Sequence, residues 1–164
     1  LVVLTPKSLL RHPAATSGME GFSSGQFERI LPDQRRDPEK TTRILLCSGK
    51  LYYDLAQYRN ENKRDDVAIL RVEQFYPLPK KALSKAIDHT GSDSRLMWVQ
   101  EEPINMCASP HWRMRFGHRL ADRRLHVIAR PASASPATGS KGAHKLEQER
   151  LIERAFSENE EVSK

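Results

Sequence analysis

The chain has 164 residues and a mass of 18.8 kDa, with 38% hydrophobic residues, a mean hydropathy of -0.66, a formal net charge of +6 and a pI near 9.5. This fits one domain with its own core plus polar tails, and no apolar run approaches the roughly 20 residues that cross a bilayer. Two cysteines, Cys47 and Cys107, support no disulfide framework and suit a reducing compartment, while the basic balance admits acidic partners, phosphorylated ligands or nucleic acid without choosing among them.

Leu1 to Leu4 reads as a buried strand stopped by Pro6. Because the first residue is not methionine and this strand has nothing before it, the chain is expected to be a piece of a longer one. Lys7 to His12 can form one turn before Pro13. From Ala14 to Lys40 the apolar residues Phe22, Phe27, Ile30 and Leu31 fall at wide intervals among Ser, Gly, Asp and Pro. That pattern suits a strapping linker, with its cluster Asp33-Gln34-Arg35-Arg36-Asp37-Pro38 exposed. Residues 1–40 are therefore assigned to the end of a preceding domain and its linker, 41–156 to an α/β domain, and 157–164 to a disordered tail.

Ile44 to Cys47 is an unbroken apolar run, as expected of a strand covered on both faces, and Ser48-Gly49 breaks it. Leu51, Tyr52, Leu55 and Ala56 then share one helical stripe that can lie back on the sheet. The pair makes half of a βαβ unit, whose turn at the carboxyl end of the strand faces the ligand crevice of an open sheet. Ser48, Gly49 and Lys50 are thus candidates for function, although geometry alone requires only a tight turn.

Val67 to Val72 is a second strand, and Ala82, Leu83, Ala86 and Ile87 stripe a second helix closed by His89-Thr90-Gly91. Leu96 to Val99 is a third strand running into Gln100-Glu101-Glu102-Pro103. Strands alternating with helices at this spacing predict a parallel, doubly wound sheet. A third helix is expected from Pro110 to Leu120, with Gly117 costing it about 1 kcal/mol. Leu125 to Ala129 is a fourth strand and Arg130 to Gly142 a loop. A last helix, Ala143 to Phe156, carries Leu146, Ile152, Ala155 and Phe156 on its apolar side.

The phosphate-binding patterns G-x-G-x-x-G and G-x-x-x-x-G-K-[ST] do not occur, nor does the hydrolase elbow G-x-S-x-G. Cys107, His111 and His118 match no common zinc spacing and read better as scattered surface residues. Glu101 and Glu102, adjacent in an extended segment, should face opposite ways. One is expected to bond a loop or cap a helix, the other to meet solvent or a partner domain. Arg115, Arg119 and Arg123 would form one basic stripe if helical, reinforced by Arg113, Arg124 and Arg130, against the plainer reading of a solvated face. Trp112 and Phe116, four apart, read as core packing.

Five segments, in order, resemble the carboxyl-terminal domain of the thiamine-diphosphate-dependent decarboxylating subunit of the 2-oxoglutarate dehydrogenase complex. They are Leu4 to Pro13, Cys47 to Leu55, Val67 to Gln74, Gln100 to Pro103 and Arg130 to Ala137. The resemblance implies a transketolase-like third domain: an α/β fold in three layers, α/β/α, with a mostly parallel sheet, packed in a homodimer. It implies a parent enzyme that oxidatively decarboxylates 2-oxoglutarate, or the related 2-oxoadipate, and passes the succinyl group to the lipoyl arm of a succinyltransferase. Thiamine diphosphate and magnesium would be held by preceding domains, leaving no catalytic residue here.

An effector, AMP or acetyl-CoA, would find its phosphate contacts in Lys7, Ser8, Arg11 and Arg71, since arginine offers a charge-assisted fork and lysine a point charge. The implied location is the bacterial cytoplasm, or the mitochondrial matrix of a eukaryote, with no membrane partner. The alternative is a basic module for nucleic acid or an acidic protein. One departure stands out: after Glu102-Pro103 the family reads Asn, then Gln or Met, then Gly-Ala-Trp, whereas here Asn105 is followed by Met106-Cys107-Ala108-Ser109.

Overall fold

The computed structural model describes residues 2–34, 37–90 and 93–157. Its elements are α1 (Glu20–Ser23), β1 (Ile30–Leu31), β2 (Arg43–Cys47), α2 (Leu51–Glu61), β3 (Val67–Val72), α3 (Lys80–Asp88), β4 (Arg95–Pro103), α4 (Ala108–Phe116), β5 (Arg119–Leu120), β6 (Arg123–Arg130) and α5 (Lys141–Phe156). The six strands form one sheet in the order β1-β3-β2-β4-β6-β5. The four inner strands are parallel, and the two-residue edge strands β1 and β5 are antiparallel.

Alternation along each strand divides the core in two. Ile44, Leu46, Leu70 and Trp98 point to one face, under Leu83 and Ile87 of α3 and Trp112 of α4. Leu45, Cys47, Ile69 and Val99 point to the other, under Leu51 and Leu55 of α2 and Leu151, Ala155 and Phe156 of α5. Both faces of the inner strands are thereby covered, which is why β2 reads as a continuous apolar run. The result is the three-layer α/β/α arrangement with a mostly parallel sheet.

Several local expectations are corrected. Residues 2–6 form no strand, and Val2, Val3 and Leu4 are exposed, because no strand of this sheet lies beside them. Asp33 is buried rather than exposed. Its carboxylate pairs with Arg59 and accepts the Ile69 N–H at 2.8 Å, so the strap is fastened to α2 and β3. Arg35, Arg36, Gly91 and residues 158–164 lie outside the described residues. Gly117, at φ 60°, ends α4 instead of sitting inside it. The chain then reverses through Ala121 and Asp122, both at positive φ, in a two-residue hairpin of the kind that matches strand twist. Leu146 is exposed on α5 and Leu151 takes its place against the sheet, while Ala82 of α3 faces outward.

Candidate functional site

From β2 the chain crosses to β3 through α2 on one face; from β4 it crosses to β6 through α4 on the other. Between the carboxyl ends of β2 and β4 the connections therefore diverge, and an open α/β sheet has its crevice at such a point. A cavity of about 570 Å³ lies there, lined by Ser48, Lys50, Phe75, Trp98, Glu101 and His111 among others. The turn singled out in the sequence is thus at the crevice. Gly49 makes it at φ 61°, a conformation that side chains disfavour.

The Lys50 ammonium forms an ion pair with the Glu101 carboxylate across the crevice. Glu101 thus bonds the β2–α2 turn, as expected of one of the two adjacent glutamates. The β4–α4 loop is organised by its neighbour. Gln100, 3% exposed, accepts the Trp98 Nε1–H at 2.9 Å and the Ser109 N–H at 2.8 Å on its Oε1. Its Nε2 donates to the carbonyls of Pro103 at 3.0 Å and Met106 at 2.9 Å. One side chain so caps the first turn of α4 and closes the β4–α4 loop, satisfying backbone groups that would be costly to bury unpaired.

Cys107, immediately before α4, has φ 56° and ψ -129°. This position holds glycine in the resembled family, and the backbone keeps the glycine-type geometry although the residue has changed. Burial, and secondarily Glu102, raises the Cys107 thiol pKa above the usual range. Trp98 packs tilted against Trp112 at 5.0 Å between ring centres, and Trp112 in turn stacks on Phe116 at 5.4 Å, so the Trp112–Phe116 pair is core as expected.

Part of the crevice's polar lining is already paired, whereas the buried His111 Nε2 finds no hydrogen-bond partner among the described residues. Lys50 and Glu101 neutralise each other, and Cys47 is buried, with desolvation pushing its thiol far above the range in which a thiolate forms. Among the described residues no group of three or more His, Cys, Asp or Glu side chains converges as a metal site. The crevice offers magnesium two carboxylates at most, Glu101 and Glu102, and Glu101 is paired with Lys50, so the residues present do not make a ligand set for thiamine diphosphate and its magnesium.

Of the residues assigned to an effector, Lys7, Ser8 and Arg11 lie exposed on the strap, Lys7 and Ser8 in a short 3-10 turn. Arg71 is half-buried in a separate cleft of about 1110 Å³, its guanidinium 4.3 Å from the centre of the Tyr52 ring. His12, next to Arg11, lines that same cleft and packs on Tyr53 at 5.0 Å. The strap reaches that hollow through His12, and of the four assigned residues only Arg71 lines it; Lys7, Ser8 and Arg11 do not.

The basic stripe is dissolved by the chain reversal. Arg115 is helical, Arg119 and Arg123 lie in strands, and Arg123 pairs with Asp88 at 3.5 Å. Arg130, read as part of the same run, is buried. It donates to Gln148 at 3.0 Å and His144 at 3.1 Å and pairs with Glu147 at 3.4 Å, tying β6 to α5. Asn105 clamps the following loop by donating to the Ser133 carbonyl at 3.0 Å and accepting the Ser133 N–H at 3.1 Å. Sequence reasoning missed these organising roles for Gln100, Asn105 and Arg130, although all three lie in or beside the segments that carry the resemblance.

Fold and crevice define a class: a doubly wound α/β domain with a formed switch-point crevice in which Lys50 and Glu101 are already paired. Comparison with known proteins narrows this. The 2-oxoglutarate dehydrogenase C-terminal family matches residues 16–156. The chain is 41% identical over 162 residues to a 2-oxoglutarate dehydrogenase E1 component of Azotobacter vinelandii, covering 96% of the chain and 17% of that protein. It is 39% identical over 159 residues to the protein of the same description from Haemophilus influenzae, with 96% and 17% covered. A multifunctional 2-oxoglutarate metabolism enzyme of Mycobacterium sp. (strain JLS) is 40% identical over 164 residues, with 96% and 13% covered. The chain belongs to the 2-oxoglutarate dehydrogenase C-terminal family, and it spans about a sixth of the length of the E1 components it matches.

Proposed function

We propose that this chain is the supporting and regulatory carboxyl-terminal domain of a 2-oxoglutarate dehydrogenase E1 component. The whole enzyme oxidatively decarboxylates 2-oxoglutarate and passes the succinyl group to a lipoyl-bearing succinyltransferase. Thiamine diphosphate and magnesium supply the decarboxylation chemistry from the other domains of a homodimer, in the bacterial cytoplasm or the mitochondrial matrix. Residues 1–40 link this domain to the preceding part of the polypeptide. The observation that carries the reading is the pairing of Lys50 with Glu101 across the crevice, with Gln100 spent on its own loop. A domain built in this way positions neighbours and does not attack a substrate.

Given thiamine diphosphate, magnesium and 2-oxoglutarate, the isolated chain should reduce no artificial electron acceptor above background. Turnover would end the proposal. Regulation enters through AMP or acetyl-CoA, with Lys7, Ser8, Arg11 and Arg71 as phosphate contacts. Calorimetry on the whole enzyme should show heat with either effector that Arg11→Ala diminishes; no heat, or heat that Arg11→Ala leaves unchanged, removes the effector assignment.

A further inference from the structure

The two helical layers differ in charge. On one face of the sheet, α2 and α5 hold five lysines and arginines against five aspartates and glutamates. On the other, α3 and α4 hold Lys80, Lys81, Lys85, Arg113 and Arg115 against Asp88 alone. Asp88 is itself engaged by Arg123 of β6 at 3.5 Å. Most of the chain's formal charge of +6 therefore stands in a single layer.

All five cations are exposed, and among the described residues none of them pairs with a carboxylate. Lys81 and Lys85, four apart on α3, repel each other, an arrangement that weakens a helix unless an anion answers it. The two helices adjoin. Lys80 lies 5.6 Å from the centre of the Phe116 ring, and Phe75, just before α3, lies 6.2 Å from Trp112. Two large apolar side chains stand out from this layer: Met114, between Arg113 and Arg115, and Tyr76, in the turn before α3, each 86% exposed. Met114 points outward because Trp112 and Phe116, two places away on either side, are turned into the core.

We propose that the outer surface of α3 and α4 docks an acidic segment of a protein partner, whose carboxylates meet Lys81, Lys85, Arg113 and Arg115 and whose apolar side chains cover Met114 and Tyr76. Complementary charge steers and orients such a partner. Methionine, tyrosine and arginine are the side chains that interfaces concentrate, and methionine adapts to irregular partner surfaces. A nucleic acid would need aromatic faces to stack on, and Phe75, Trp112 and Phe116 are spent on the core. Arg113 and Arg115 thus act with α3 and not with Arg119 and Arg123, from which the chain reversal separates them. The surface uses none of the residues assigned to an effector, so it stands or falls apart from that assignment.

The test uses the full-length protein and two fluorescent peptides of equal charge, one of glutamate and leucine, the other of glutamate and glutamine, with anisotropy at fixed ionic strength as the readout. The leucine peptide should bind, and its Kd should rise at least about tenfold in the Lys81→Glu/Arg113→Glu variant, where attraction becomes repulsion. Met114→Ser should raise it by about threefold or more, and the glutamine peptide should bind more weakly than the leucine peptide. The matched reversal on the other layer, Lys145→Glu/Arg150→Glu, should leave the Kd unchanged. Every altered residue is exposed, so all the variants should melt like the parent. No binding of the leucine peptide overturns the surface, as does binding that the α3–α4 reversal spares or the α5 reversal weakens equally. Equal affinity for the two peptides, or indifference to Met114→Ser, would reduce the surface to a solvated charged face. Oligouridylate binding more tightly than the leucine peptide, and lost in the same variant, would overturn the protein assignment in favour of nucleic acid.

Discussion

Replacing Arg59 with leucine should destabilise the chain more than any surface change of similar size. Its guanidinium pairs with Asp33 and donates to the Val67 carbonyl at 3.2 Å, with only 8% of the arginine side chain and 4% of the aspartate exposed. Once Arg59 is gone, the Asp33 carboxylate loses that counter-charge in a dry place and holds the Ile69 N–H less firmly. Removing one partner of such a pair costs about 3–5 kcal/mol, a large part of the roughly 5–15 kcal/mol that holds an ordinary domain together. With a urea slope of about 2 kcal/mol per molar, the midpoint should fall by about 2 M. Arg59→Leu combined with Asp33→Leu should recover part of the loss, since no unpaired charge is then left behind. Hydrogen exchange supplies a local readout, because the Ile69 amide donates to Asp33 and should lose protection in either single variant. A loss below about 1 kcal/mol for Arg59→Leu, with Ile69 still protected, would refute the reasoning.

Cys107→Gly should raise the urea midpoint by the equivalent of about 1–2 kcal/mol, relief of a left-handed backbone less the entropy that glycine loses on folding; a lower midpoint would show that the cysteine side chain matters more than the backbone. Gln100→Leu should cost about 2–4 kcal/mol and shift the Trp98 fluorescence, because it orphans the indole N–H, the Ser109 N–H and the loop carbonyls together. Acid should act in two steps. Burial, and then Arg124, Arg95 and Arg43, hold His126 below the usual imidazole range, so the unfolded chain binds the proton more readily and stability falls as pH drops through that range. Asp66, drawn down to about 2 chiefly by its hydrogen bond to Arg64, contributes stability above the ordinary carboxylate range near 3.8 that is lost as pH falls toward 2. A melting temperature that rises between about pH 7 and 5 would contradict the first step.

The inner sheet was legible because strands buried on both faces write apolar runs, and β2, β3 and β4 stand out between polar turns. The same signal misled at Val2 to Leu4, where an apolar run has no neighbour in this sheet. β1 was invisible because two residues make no pattern. Asp33 looked like surface because its burial depends on Arg59, 26 positions away. The spacing of Arg115, Arg119 and Arg123 was helical, but the left-handed Gly117 ends the helix between the first and second of them. At the crevice, the βα turn placed Ser48 to Lys50 correctly, whereas the pairing of Lys50 with Glu101, 51 positions on, required the parallel β2–β4 register.

The strap also changes what β3 can do to other molecules. Val-Ala-Ile-Leu-Arg-Val is short, apolar and rich in branched side chains, a composition that templates cross-β pairing when its edge is bare. β1 covers Arg71 and Val72, the Arg29 carbonyl takes the N–H groups of Glu73 and Gln74, and Asp33 takes the N–H of Ile69 in place of a strand. At the opposite margin β5 is equally short. Growth by addition of further strands is therefore blocked at the β3 side, and cutting the strap would bare that edge to fibrous self-association.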